Sequence, residues 1–412
     1  MKSWPMHKAL ISGIGVVSAI GVGRAAFADA LWQGRSNFGV MRRPGRQSAE
    51  SAFLGAEIAA LPELRNGRGQ PYRKLSLSTH AALATADEAW TDAGLAALDP
   101  QRIGLVLGGS NLQQRAALLA LDPVREQPWY TPPHYAASYC DSDIAAWCAE
   151  HLGVQGPVWT AGAASASGLL AVVEAARAVV SGELDACIAV GGLSDLSHLE
   201  CQAFRSLGAM GSAQYADQPQ RACRPFDTAR DGFIYGEACA ALVVESVDSA
   251  RRRGASAYMA INGWSAVSDA SRQPHPSQQG EMRAVGQALA HAGWRAAEID
   301  YVNPHGSGSP LGDETELAAL RASGLGDAWI NTTKSLAGHG LTAAGAVETV
   351  ALALQMRAQR LHPCANLEQP IGGARWVPAQ GSPARIGKAL KLSMGFGGIN
   401  IAMCFQHPSQ FN

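Results

Sequence analysis

The chain has no uninterrupted run of about eighteen apolar residues, the least that a membrane-crossing helix needs, so a membrane protein of that kind is excluded. Charge is scarce and balanced: 16% of the 412 residues are charged, and 33 Lys and Arg against 34 Asp and Glu leave a formal net charge of -1. A nucleic-acid binder carries a basic face, so that class is excluded too. The one dense basic cluster, Arg251, Arg252 and Arg253, reads as a solvated helix end. Cysteines are present, eight of them, but none forms a C-x-x-C pair. Scattered among apolar runs, they read as reduced, buried thiols of a cytoplasmic protein and not as a disulfide frame.

What is present is core material. Hydrophobic residues make up 47% of the chain, and its length implies two structural halves. The start, MKSWPMHKALISGIGVVSAIGVGRAAFADA, imitates a signal peptide, yet glycines at 13, 15, 21 and 23 interrupt it. ALISGIGVV reads better as a first core strand followed by a turn. Short apolar runs (RIGLVLGG, DACIAVGG, CAALVVES, AYMAINGW, YVNPHGSG, and KALKLSMGFGGINIAMCF as one) alternate with helical patterns such as GLLAVVEAARAVVSG and GAVETVALALQMRAQ. This alternation predicts an α/β protein with largely parallel sheets covered by helices. The order of elements restarts near 255, dividing the chain into 1–254 and 255–412, without a residue-level repeat. DPVREQPWYTPPHYAASYC reads as a long loop lining a partner or a pocket.

Several segments suggest chemistry. GIGVVSAIG imitates a dinucleotide fingerprint, but Ser18 stands where the third glycine belongs, so it reads as a strand-to-helix turn. In GAASASGLL, Ser165 precedes a helix, where amide groups favour developing negative charge. A hydrolase elbow needs glycine two residues to either side of the serine, and Ala163 and Ser167 break that pattern. His305 in NPHGSGSP, and His339 with Lys334 in TKSLAGHGLTAAG, lie in glycine-rich turns that together suggest an anion pocket. Neither turn has the H-x-x-x-H spacing and the lysine repels a cation, so no metal is expected. Asp227, Arg230 and Asp231, charged residues close together between apolar strands, are expected to pair in a buried network.

RPFDTARDGFIYGEACAALVVES, NPHGSGSPLGDETE, NTTKSLAGHGLTAAGAVE and LSMGFGGIN closely resemble, in order, the signature blocks of the β-ketoacyl-acyl carrier protein synthases. The resemblance covers essentially the whole chain. It implies a thiolase-like fold, with two similar halves in a five-layer αβαβα arrangement, usually as a homodimer. By the same resemblance, His305 and His339 match the two active-site histidines, Lys334 the lysine and Glu348 the glutamate of the small-residue helix. Ser307 and Ser309 stand where threonines usually contact the phosphopantetheine arm, and Phe396 and Gly397 belong to the turn beside the acyl pocket. Ile399 departs from the usual threonine, and Asn303 from the usual acidic or small residue.

The nucleophile block departs most, since Ser165 stands at the family's cysteine position. A thiol is appreciably ionised near neutrality and a serine hydroxyl is not, so chain elongation is expected to be impaired. Decarboxylation of a malonyl thioester needs no thiol, only hydrogen bonds from neutral imidazoles to the enolate oxygen. The combination resembles the malonyl-acyl carrier protein decarboxylases of polyketide β-branching. That resemblance implies an acyl carrier protein as partner, a 3-hydroxy-3-methylglutaryl synthase-type enzyme downstream, and no cofactor beyond the carrier's phosphopantetheine arm. The alternatives are a condensing or acyl-transferring synthase that uses Ser165, an engineered cysteine replacement in an elongating synthase, and a non-catalytic chain-length partner.

Overall fold

The computed structural model describes residues 9–410, so residues 1–8 and 411–412 of the expected halves, and the start of the signal-like segment, lie outside the described residues. The first half runs β1 (Ala9–Ser18), α1 (Leu77–Ala93), β2 (Ile103–Gly108), α2 (Asp141–Leu152), β3 (Val158–Ala161), α3 (Ser167–Val180), β4 (Ala186–Gly191) and β5 (Ala238–Ser246). The second runs β6 (Met259–Ser268), α4 (Gln278–Ala292), β7 (Tyr301–Asn303), α5 (Pro310–Ala322), β8 (Trp329–Ile330), α6 (Ala344–Ala358), β9 (Lys388–Gly395) and β10 (Ile399–Gln406). Apart from short turns and from first-half helices such as Arg24–Gln33 and His198–Ser206, these two series correspond element for element. The strand order is also the same: β1-β5-β4-β2-β3 in the first half and β6-β10-β9-β7-β8 in the second, joined where β1 pairs antiparallel with β6.

Side chains leave a strand on alternate faces, and the burial pattern shows what each face meets. On β2, Leu105 and Leu107 pack outward with Leu83 of α1 and Ile144 of α2, while Val106 turns inward. On β10, Ile401, Met403 and Phe405 face inward, while Ala402 and Cys404 pack with Val285 of α4 and Leu320 of α5. The inward residues of both halves share one core with α3 and α6. The layers are therefore outer helices, sheet, α3 and α6, sheet, outer helices: the five-layer arrangement that the resemblance implied.

Four expectations need correction. The sheets are mixed and not largely parallel: β2 is parallel to β3 and β4, but β5 is antiparallel to both β4 and β1, and β10 is likewise antiparallel to β9 and β6. A short reversal joins β9 to β10, and a reversal that short can join only antiparallel strands. KALKLSMGFGGINIAMCF is accordingly two strands folded back at Phe396–Gly398, where Gly397 and Gly398 take φ of +89° and +73°. GIGVV is no strand-to-helix turn: it lies inside β1, and a Cβ on Gly15 would stand 2.1 Å from the Thr85 carbonyl oxygen, so glycine lets α1 lie against the strand. The Arg251–Arg253 cluster is only partly solvated, because Arg253 reaches the buried Glu245 at 2.5 Å.

Segment 122–140 carries short helical turns and leaves Trp129 and Tyr130 exposed. Among the described residues, all eight cysteines are unpaired and all but Cys140 are buried. No described helix is long and apolar enough to cross a membrane.

Candidate active site

Three turns at the strand ends converge on one cleft. The first leads from β3 to α3. Ala164 takes a φ of +46°, a strained value for a residue with a Cβ, and Ser165 sits in the short helical turn that follows. Ser167 Oγ fixes this bend by accepting from the Ala163 amide at 2.8 Å and donating to the Ala164 carbonyl at 2.7 Å. Ser165 is half-buried, faces the cleft, and its hydroxyl has no hydrogen-bond partner among the described residues. The hairpin between β9 and β10 packs onto the same bend: a Cβ on Gly395 would stand 2.2 Å from the Ala163 carbonyl oxygen. That close approach brings Phe396, 42% exposed, to the cleft beside Ser165.

The second turn, from β7 to α5, carries His305. Carboxylates of α5 fold back to hold it: Glu316 accepts from the His305 and Gly306 amides at 2.6 and 2.7 Å, and Asp313 from the Gly308 amide at 3.0 Å. Ser307 and Ser309 line the cleft with their hydroxyl oxygens 3.0 Å apart. The third turn, before α6, carries His339, whose Nδ1 accepts from the Leu341 amide at 3.2 Å. A neutral His339 ring therefore bears its proton on Nε2 and can donate there. The two imidazoles stand 5.3 Å apart, nearly perpendicular, and Phe233 meets His339 edge-on.

Behind the histidines lies a buried charge cluster. Lys334 Nζ donates to Glu348 and to the His305 carbonyl, and Lys391 Nζ lies 2.7 Å from the other Glu348 oxygen while donating to the Pro304 carbonyl at 3.3 Å. Two ammonium groups thus share one carboxylate. Burial first, and then the Lys334 charge, hold both imidazoles well below the usual histidine range, so both are neutral near neutrality. The same desolvation lowers the pKa of Lys391.

Empty space in the cleft, open mouth included, comes to about 770 Å³. Ser165, His305, Ser307, Ser309, His339 and Phe396 all line it. Lys334 and Glu348 do not; they stand one layer back. Gly397 is also absent from the wall, which takes Gly395 and Gly398 from that hairpin instead. No residue of segment 122–140 reaches the cleft, so that loop lines no part of this pocket. Asp227 and Arg230 are buried and paired, Asp227 with Arg224 at 2.9 Å and Arg230 with Glu314 at 2.9 Å. Asp231 stands apart from them, half-buried, accepting from Ser212.

Sequence reasoning passed over Lys391 and Glu281. Lys391 lies between Leu390 and Leu392 in a strand buried on both faces, and a charge in the middle of such a run was the available signal. Glu281 sits within the pattern EMRAVGQALAHAG and reads there as an ordinary polar helix position, yet it is 1% exposed and lines the cleft. Among the described residues, no group of His, Cys, Asp and Glu is arranged to hold a metal ion.

The family model for the β-ketoacyl synthase N-terminal domain matches residues 6–250, and that for the C-terminal domain matches residues 258–368. The polyketide biosynthesis malonyl-ACP decarboxylase PksF of Bacillus subtilis (strain 168) is 49% identical over 403 residues, covering 98% of this chain and 97% of its own. A solved β-ketoacyl synthase from Burkholderia phymatum STM815 superimposes with a TM-score of 0.88 at 26% identity, over 98% of this chain and 100% of its own. AntDE, a type II ketosynthase solved with its acyl carrier protein AntF and bound to a hexaketide, superimposes with a TM-score of 0.86 at 27% identity, over 98% of this chain and 100% of that one.

Proposed function

Because this chain belongs to the β-ketoacyl synthase family, we propose that it decarboxylates a malonyl thioester carried by an acyl carrier protein, leaving the acetyl thioester on the same carrier. The observation that carries this reading is the content of the cleft: a serine hydroxyl with no base engaged on it, beside two neutral imidazoles, His339 buried and His305 partly buried. Among the described residues Ser165 Oγ donates no hydrogen bond to either ring, so no base in place takes its proton for nucleophilic attack. The identity to PksF over nearly the whole chain supports the same activity, and the AntDE complex supports a carrier protein as partner.

In this mechanism, the phosphopantetheine arm enters past Phe396 and along Ser307 and Ser309, and the thioester oxygen rests between the histidines. Loss of carbon dioxide moves the electron pair of the breaking bond onto that oxygen. The Nε2 proton of His339 and the His305 ring stabilise the enolate, and a neutral donor pair is more suitable here than an imidazolium because it leaves the anion available for protonation. Lys334 and Lys391 position His305 through the carbonyl groups of residues 305 and 304. The enzyme works as a cytoplasmic homodimer divided at 254/255, needs no cofactor beyond the carrier's arm, and supplies an HMG-synthase-type partner in polyketide β-branching.

Intact-mass spectrometry of malonyl-loaded carrier protein, with no acyl primer present, tests the activity. A loss of carbon dioxide that persists in Ser165→Ala and disappears in His305→Ala is expected. Malonyl carrier protein that survives unchanged with the parent enzyme overturns the reading.

A further inference from the structure

Among the described residues, the other buried carboxylates each accept at least one hydrogen bond: Glu348 from Lys334, Glu316 and Asp313 from loop amides, Glu237 and Asp195 from Arg46, Glu245 from Arg253, Asp227 from Arg224. Glu281 accepts none, and its Oε2 is buried without a partner. An unpartnered buried carboxyl is costly unless it is uncharged or aimed at a group that arrives later. The second condition is met, because Glu281 forms part of the wall that also holds Ser165, His305 and His339.

The surroundings decide where the proton resides. Glu316 and Asp313 of α5, and Asp269 from the segment after β6, share the cleft wall with Glu281 and act on it electrostatically. Asp269 is itself balanced by Arg283 at 3.0 Å and by the Asn400 amide at 2.9 Å, and His275 lines the cleft beyond it. Among the described residues, Glu281 forms no ion pair with a cation, and the charged groups that act on it are all acidic. Glu316 is committed to two backbone amides, which favour its ionised form, so of this pair Glu281 keeps the proton. Burial first, and then these negative neighbours, push its pKa up.

We propose that Glu281 is the acid that delivers a proton to the α-carbon of the enolate, directly or through one water in the cleft. This rests on the decarboxylase reading above and adds the step that separates it from condensation. A condensing enzyme directs the enolate carbon at an acyl group; an enzyme that releases acetyl thioester needs a proton at that carbon instead. The imidazole N–H groups are engaged with the enolate oxygen, so the carbon calls for a separate donor. In balance, the malonyl thioester carboxylate breaks its bond to the α-carbon and leaves as carbon dioxide, and the enolate takes the Glu281 proton to become the acetyl group. The Glu281 carboxylate that remains is reprotonated from solvent, so one proton is consumed per turnover.

The test measures carbon dioxide release and acetyl carrier protein formation against pH, in the parent enzyme and in Glu281→Gln and Glu281→Asp. The protonated form is the active one, so the parent's kcat is expected to fall as pH rises through about 9. Glu281→Gln is expected to lose about 100-fold in kcat with little change in KM and to lose that alkaline limb, while Glu281→Asp recovers part of both. In Glu281→Gln the longer-lived enolate is also expected to recapture labelled carbon dioxide, returning label to malonyl carrier protein. A Glu281→Gln enzyme with unchanged kcat and the same alkaline limb overturns the proposal while leaving the decarboxylase reading intact. If the variants do not fold, a parent kcat that stays flat through about 9 overturns it alone. A parent enzyme with no decarboxylation defeats the underlying reading instead.

Discussion

The two halves share a strand order and a helix order, yet they contribute opposite materials to the cleft. The turn after β3 is built of small residues and supplies one uncharged hydroxyl, Ser165. The corresponding turn after β8 supplies His339, and its neighbour after β7 supplies His305; Asp313 and Glu316 share the wall, with Lys334, Glu348 and Lys391 packed behind. Buried charge exists in the first half as well, but there it is assembled away from the cleft: Arg46 reaches Asp195 at 2.9 Å and Glu237 at 2.8 Å. A duplicated scaffold therefore need not duplicate chemistry. The fold sets where turns point, and the residues in each turn decide whether it binds charge or leaves room.

This asymmetry can be broken from either side. Removing the second half's donors has the largest expected effect: His339→Ala is expected to lower the decarboxylation rate by about 100-fold to 1000-fold, read as acetyl carrier protein formed per minute. The first half's counterpart, Ser165→Ala, is expected to stay within a few-fold of the parent. Equal losses in the two variants would show that the serine participates chemically and would erase the contrast.

Stability provides the next test. Glu348→Leu leaves Lys334 and Lys391 buried without their shared carboxylate and is expected to cost about 3–5 kcal/mol in denaturant unfolding.

Acid comes third. Burial, above all, depresses the folded pKa values of His305, His339 and His362 below the ordinary histidine value of 6.5, that of His362 to about 4. Below 6.5 the unfolded chain binds protons that the folded one refuses, so stability is present at neutral pH and is lost as pH falls from 6.5 toward the folded values. Thermal melts across that range check the sign, and a melting temperature that holds constant down to about 4 contradicts it.

The smallest effect belongs to the first half's bend. Ala164→Gly relieves the φ of +46° and is expected to stabilise the fold by about 1 kcal/mol with activity little changed.

Much of this molecule is legible along the chain. The small-residue helices and glycine-bounded apolar runs mark α3, α6 and the core strands, because periodicity and turn residues are local properties. His305, His339, Ser165, Ser307, Ser309 and Phe396 stand out for the same reason: each sits in a short segment whose composition is unusual by itself. Other features leave no such mark. Strand direction is invisible in an apolar run, which is why mixed sheets read as parallel and why β9 and β10 merged into one strand. Segment 122–140, rich in proline and aromatic residues, reads like a pocket wall, but composition does not say which surface a loop covers.

The sequence by itself determined the small-residue helices, most of the core strands, and the three turns that carry the serine and the two histidines, because propensity and spacing act over a few residues. Tertiary structure decided which of those residues meet in one cleft, that Lys334 stands behind His305 and not inside the pocket, that Lys391 joins it on Glu348, and that Glu281 is left without a partner. Those outcomes depend on desolvation and on contacts between residues far apart in the chain, such as Glu281 on α4 and Glu316 on α5. A carboxylate looks the same in a sequence whether the fold surrounds it with amides or with other carboxylates; only the folded neighbours set its charge.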